Sequence, residues 1–342
     1  MSYSYQLFQH YFIMDTSYSI SLTSTLPSCN AWRISKPIVI VLLMIIFSSC
    51  HKEVEPSRIL RFEEIALIHG VALDQATGFT GSKELNSLYI VNRDVNSWPQ
   101  YTERVIKYDL SSGEQVISNI VQVDYITKNA HLLNGKLIVI GGTRVNIYPQ
   151  NLGSPPVSIE HGLSLSRFGS AIYNDELYIW GGDLNYDTST HIRRWDFENG
   201  KFETVGFLPK PRMWAHGEII DNKLYVFGGQ KDFVGTPSSD IIYVYNFQSK
   251  KTETYFLPEP MMRTFTAVHE NRIYVAGHIL NDDGEVRTTL GFFDTKDNTS
   301  STFSASEAND QILQMTIIEN RVYILLGPID AKIGVSLQVA DL

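Results

Sequence analysis

The chain has 342 residues, 37 of them acidic against 28 Lys and Arg, and a formal net charge of -9. With no basic run longer than Lys250-Lys251, that balance excludes a phosphate backbone as partner, and with it a nucleic-acid function. Both cysteines, Cys29 and Cys50, lie in the first 50 residues, so the remainder must be held together by packing and not by disulfides.

In chain order, residues 1–49 come first. Lys36 and Pro37 precede an apolar run of 10 residues, Ile38–Phe47, followed by Ser48-Ser49-Cys50. The run is short for a bilayer span and has the length of a signal-peptide core. Small residues before Cys50 resemble a bacterial lipoprotein signal, which implies lipidation of Cys50 and a membrane anchor in the cell envelope. HKEVEP (51–56) resembles the short charged export signal of Bacteroidota outer-membrane lipoproteins. The alternative is an uncleaved anchor or a core strand. The 32 residues before Arg33 are long for a signal n-region, so a later translation start is expected. On this reading residues 50–58 form a tether and 59–342 a single folded domain.

From residue 85 onward one phrase recurs: a polar turn, a short apolar-aromatic strand, then a glycine pair. It is clearest in LNGKLIVIGG (133–142), YNDELYIWGG (173–182) and IDNKLYVFGG (220–229). HENRIYVAGH (269–278) reads as keeping the second glycine, with Ala276 in place of the first. LNSLYIVNRD (85–94) and IENRVYILLG (318–327) are weaker copies. From Leu133 onward the steps are 40, 47, 49 and 49 residues. Asn-Gly, Asn-Asp and Asp-Asn suit tight hairpin turns, and β-branched and aromatic runs suit strands buried on both faces. A period of about 40–50 residues with strands and a glycine signature predicts a β-propeller.

Each copy has a second half: an aromatic strand, a polar turn and a further strand, as in 192–212 and 241–263. Gly181-Gly182 with Trp195, Gly228-Gly229 with Tyr243 and Tyr245, and Pro211-Arg212 together resemble the kelch repeat. The expected fold is therefore all-β, a six-bladed kelch-type propeller. GVSLQVADL (334–342) matches a third strand lacking its fourth, and ILRFEEIALIHG (59–70) reads as an orphan fourth strand. Pairing of the two would close the ring and remove two exposed edges.

In such blades the tight turns share one face and the long loops the other, where binding concentrates. Links into the innermost strands point at that mouth. They supply the candidate ligand-binding residues Arg167, Phe168, Arg212, Trp214, His216, Arg263 and Gln314. Arg offers a bidentate fork for carboxylate, and Trp and Phe offer stacking faces. A Pro-Arg arginine in kelch repeats often braces neighbouring blades, a second reading for Arg212. Arg167 and Arg263, which sit at other offsets from the glycines, read as the better mouth residues. His131, His216 and His269 fall in different copies without metal-ligand spacing, so no metal and no cofactor are expected. Asp282-Asp283-Gly284 lacks the alternating acids of a calcium loop and reads as a turn.

The expectation is an envelope-anchored, monomeric binding or scaffold propeller taking a glycan or an acidic protein partner at its mouth. The alternative is an enzyme resembling the kelch-type sialic acid mutarotases, with Glu218 or His216 beside Arg212 as the acid–base group. A copper-radical oxidase resembling galactose oxidase is excluded, because the domain lacks the cysteine its crosslinked tyrosine needs.

Overall fold

The structure, a computed structural model, describes residues 60–69, 71–72, 77–94, 102–123, 129–184, 187–231, 237–280, 286–303, 311–327 and 334–342. The expected leader and tether (1–58), the Asp282–Gly284 turn and the loop tips at 95–101 and 232–236 lie outside them. Among the described residues every helical or extended element is a β-strand.

Six antiparallel sheets form the blades of a propeller. Their innermost strands are Gly78–Ser82, Asn129–Leu133, Leu165–Tyr173, Gly217–Ile220, Arg263–His269 and Gln311–Ile318, each against the next and the sixth against the first. The hairpin phrase supplies the first two strands of each blade. Asn134-Gly135, Asn174-Asp175 and Asp221-Asn222 all have positive φ, between 49° and 72°. This turn matches the right-handed twist of the strands it joins.

The ring closes as the orphan strand requires. Glu63–Ile68 pairs antiparallel with Val335–Asp341, from Glu63 opposite Val339 to Ile68 opposite Val335, as the fourth strand of the sixth blade. Ile68 is fully buried among Val335, Leu337 and Phe79 of the first blade, so this strand also seals the last blade interface. Burying one such side chain stabilises by about 1.5–3 kcal/mol.

The apolar core consists of six clusters, one in each interface between neighbouring blades. Strand alternation produces this. In Glu176–Leu184, Leu177 and Ile179 face the second blade while Tyr178 and Trp180 face the fourth. A blade has two apolar faces and cannot bury either alone.

The glycine pair marks where the link to the next blade crosses. Gly182 N–H donates to the Arg212 carbonyl at 2.7 Å, and a Cβ on Gly181 would lie 2.3 Å from that oxygen. The fifth copy corrects the sequence alignment. Thr264 pairs with Gly277 as Phe168 pairs with Gly181, so Gly277 occupies the first glycine position and His278 the second. Gly182 and Gly229 are left-handed, whereas His278 is not, and its strand runs on to Leu280. The His278 ring is buried, with Nε2 2.7 Å from the Ile312 carbonyl.

Candidate functional site

Counted back from the tight turn, three residues of consecutive blades share one register. Arg167, Trp214 and Arg263 each lie six residues before the last residue of the inner strand (Tyr173, Ile220 and His269). They meet at the channel end away from the tight turns. The Arg167 and Arg263 guanidinium carbons each lie 5.1 Å from the centre of the Trp214 ring. Trp214 N–H donates to the Arg167 carbonyl at 2.7 Å, and Thr264 N–H to the Trp214 carbonyl at 3.0 Å. Arg167 and Trp214 hold φ of +57° and +53°, a conformation costly for residues with a Cβ and common at functional sites.

The two arginines differ in their partners. Arg167 Nη1 donates to Asp183 Oδ2 at 2.9 Å, and Asp183 also accepts from Ser166. Arg263 has no hydrogen-bond acceptor among the described residues, and its Nε is buried without one. Burial and the neighbouring charge of Arg167 lower its pKa to about 10. An unpaired, partly desolvated guanidinium beside a like charge is energetically costly and keeps donors free for an acceptor.

Towards the tight turns the channel encloses a cavity of about 200 Å³, lined by inner-strand residues of all six blades. The unpaired backbone edges of those strands make the lining polar. His131 Nε2 and Ser170 Oγ lie 2.7 Å apart, and the Thr266 hydroxyl donates to Glu218 Oε1 at 2.9 Å. Asn129 donates to the Phe168 carbonyl at 3.0 Å and Gln314 to the Thr77 carbonyl at 2.5 Å, each tying one blade to the next. Burial pushes the His131 pKa down to about 4, helped by nearby His216, and that of His216 to about 4, helped by Arg263. Both rings are neutral at physiological pH. Burial pushes the Glu218 pKa up to about 7 against the Thr266 hydrogen bond. Glu218 therefore changes charge near neutrality, which suits proton exchange.

The residues expected at the mouth separate into groups. Arg167, Trp214 and Arg263 come together there, while His216 and Gln314 line the cavity below. Phe168 does not face the channel: it is 1% exposed in the core between the second and third blades. Arg212 is a brace. Its guanidinium lies over Tyr243 at 5.0 Å and donates to the Pro211 carbonyl, Ser239 Oγ and Tyr243 Oη. It therefore cannot serve as the arginine beside an acid–base Glu218. Ser170 and Thr266 were not expected; Glu218, in Gly217–Ile220, and His216, just ahead of that strand, both line the cavity.

No family model and no curated protein matches the chain. Among solved structures it is similar to one described as "Structure of YjhT", with a TM-score of 0.58 and 12% identity over 80% of this chain and 96% of that one. At that identity the likeness shows the propeller fold alone.

Proposed function

We propose that this propeller, of the kelch type by its repeat phrase and anchored to the outer membrane through lipidated Cys50, binds a small acidic glycan unit at its channel mouth. The observation that carries the reading is Arg263, a guanidinium without an acceptor, held against Trp214 opposite Arg167. Such a pair offers a carboxylate a bidentate donor and a sugar ring a stacking face. The cavity favours a small ligand over a protein segment, since about 200 Å³ falls below the roughly 300–1,000 Å³ of drug-sized sites. A glycan-array screen of the purified protein and of Arg263→Gln tests this. Acidic sugars should be retained by the parent and lost by the variant, and a flat response to every sugar would sink the proposal.

Glu218 favours a second reading, an isomerase of the sugar mutarotase or epimerase kind acting on the same ligand. A carboxyl that titrates near pH 7 inside the cavity can take a proton from a ring hydroxyl and return one to the ring oxygen. Anomer interconversion followed by NMR should then slow in Glu218→Gln to the uncatalysed rate; equal rates would leave binding as the function.

A further inference from the structure

The mouth accounts for one isolated charge of the channel and leaves a second unexplained. Glu218 lies four residues past Trp214 and lines the cavity. Its partner is the Thr266 hydroxyl, and among the described residues no salt bridge joins it to a cation. The other titratable groups lining the cavity are His131 and His216, both neutral, and the remaining polar side chains there, such as Ser170 and Gln314, carry no charge. Glu218 in its ionised form thus mirrors Arg263: each is then a charge in a confined site with no counter-ion among the described residues, and the two are opposite in sign. Unpaired charges of this kind are destabilising unless a ligand completes them.

Their separation says what sort of ligand. In the blade of Arg263 the position equivalent to Glu218 is Ala267, four residues along the strand Arg263–His269, or about 13 Å, part of which the arginine side chain covers. The adjacent charges of an α-amino acid cannot reach both poles, whereas a linear molecule with an anion at one end and an amine at the other can.

We propose that the channel takes a small zwitterion, its carboxylate at Arg263 and its ammonium at Glu218. This rests on the mouth reading above and adds the second pole. An ammonium beside Glu218 favours the ionised carboxylate, so binding is linked to proton release and weakens as Glu218 becomes protonated at lower pH.

The test is calorimetric titration of the purified protein with the series from 4-aminobutanoate to 8-aminooctanoate, each paired with the simple carboxylate of the same length, near pH 8 and near pH 6. One length should bind at least about tenfold more tightly than its carboxylate at the higher pH, and that length reports the distance between the poles. The advantage should shrink at the lower pH and disappear in Glu218→Gln, which should bind each amino acid and its carboxylate alike. If every amino acid binds like its carboxylate while Arg263→Gln weakens both, the second pole is wrong and the mouth reading stands. If neither series binds while galacturonate does, the second pole is likewise wrong and the mouth reading stands; if galacturonate also fails to bind, both fall. The wild-type comparison across pH does not depend on how the variant folds.

Discussion

The innermost strand of each blade and the strand beside it lie in one sheet, are of similar length, and have opposite relations to the repeat. The second strand keeps its character from copy to copy: Leu177 and Ile179, Leu224 and Val226, Ile273 and Val275, Val322 and Ile324 are all buried in blade interfaces. The innermost strand varies at equivalent positions. Two residues before its end it carries Thr80, His131, Ala171, Glu218, Ala267 and Thr316 in successive blades. Six before its end stand Arg167, Trp214 and Arg263 in the third, fourth and fifth blades, Trp214 just ahead of its strand. The second strand meets the same environment in every blade, so the same side chains serve. The inner strands converge on one channel, where each blade can contribute a different group to a single ligand.

Substitutions in the framework should have the largest effects. A Cβ on Gly217 would lie 1.9 Å from the Tyr225 carbonyl, and one on Gly169 would lie 2.2 Å from Trp180 Nε1. Gly217→Ala should cost about 3 kcal/mol or more and leave little soluble protein, as expression and circular dichroism would report. Ile68→Ala should lower stability by about 2–5 kcal/mol in denaturant melts; a loss typical of surface sites would mean the closing strand is dispensable.

The next effect is on acid stability. Burial depresses the pKa of His278, 1% exposed, from 6.5 to about 4. A depressed pKa means stability that is present above pH 6.5 and lost as pH falls towards 4, here on the order of 3 kcal/mol. His131 and His216 shift in the same direction. The denaturation midpoint should fall through that window, and His278→Gln should flatten the fall.

Mouth substitutions should separate binding from folding. Arg263→Gln removes an unpaired charge beside Arg167, so stability should stay within about 1 kcal/mol while ligand affinity drops about 10- to 100-fold. A large stability loss would place Arg263 with Arg212 as a brace. Glu218→Gln shows its effect on stability only at high pH. Because the pKa of Glu218 is raised, its contribution to stability is full below the ordinary carboxyl range and lost as pH rises through about 7. The variant should therefore gain stability relative to the parent near pH 9 and none near pH 4.

The same division explains what could be read in the sequence. The six hairpins and the closing strand were legible because packing repeats them. The mouth was legible in part: Arg167, Trp214 and Arg263 stood out as residue types. Their common register was hidden by anchoring the fifth copy on Ala276 when the structure places Gly277 opposite Thr264. Counting from the turn instead of the glycines brings all three into line. Phe168 looked like a mouth residue because it adjoins Arg167, but alternation along the strand turns it into the interface between the second and third blades; Arg212, in the link before the fourth blade, is instead drawn to Ser239 and Tyr243. The His131–Ser170 contact joins residues 39 apart on different blades, and only the closed ring brings them together.

The central claim is that Arg263 and Trp214 form an anion-reading mouth, and titration of the purified protein with galacturonate and with galactose tests it most directly. The account predicts saturable one-site binding of galacturonate, a change in Trp214 fluorescence, and loss of both in Arg263→Gln, with galactose at least about tenfold weaker. Equal affinity for the two sugars, or binding untouched by Arg263→Gln, would contradict it.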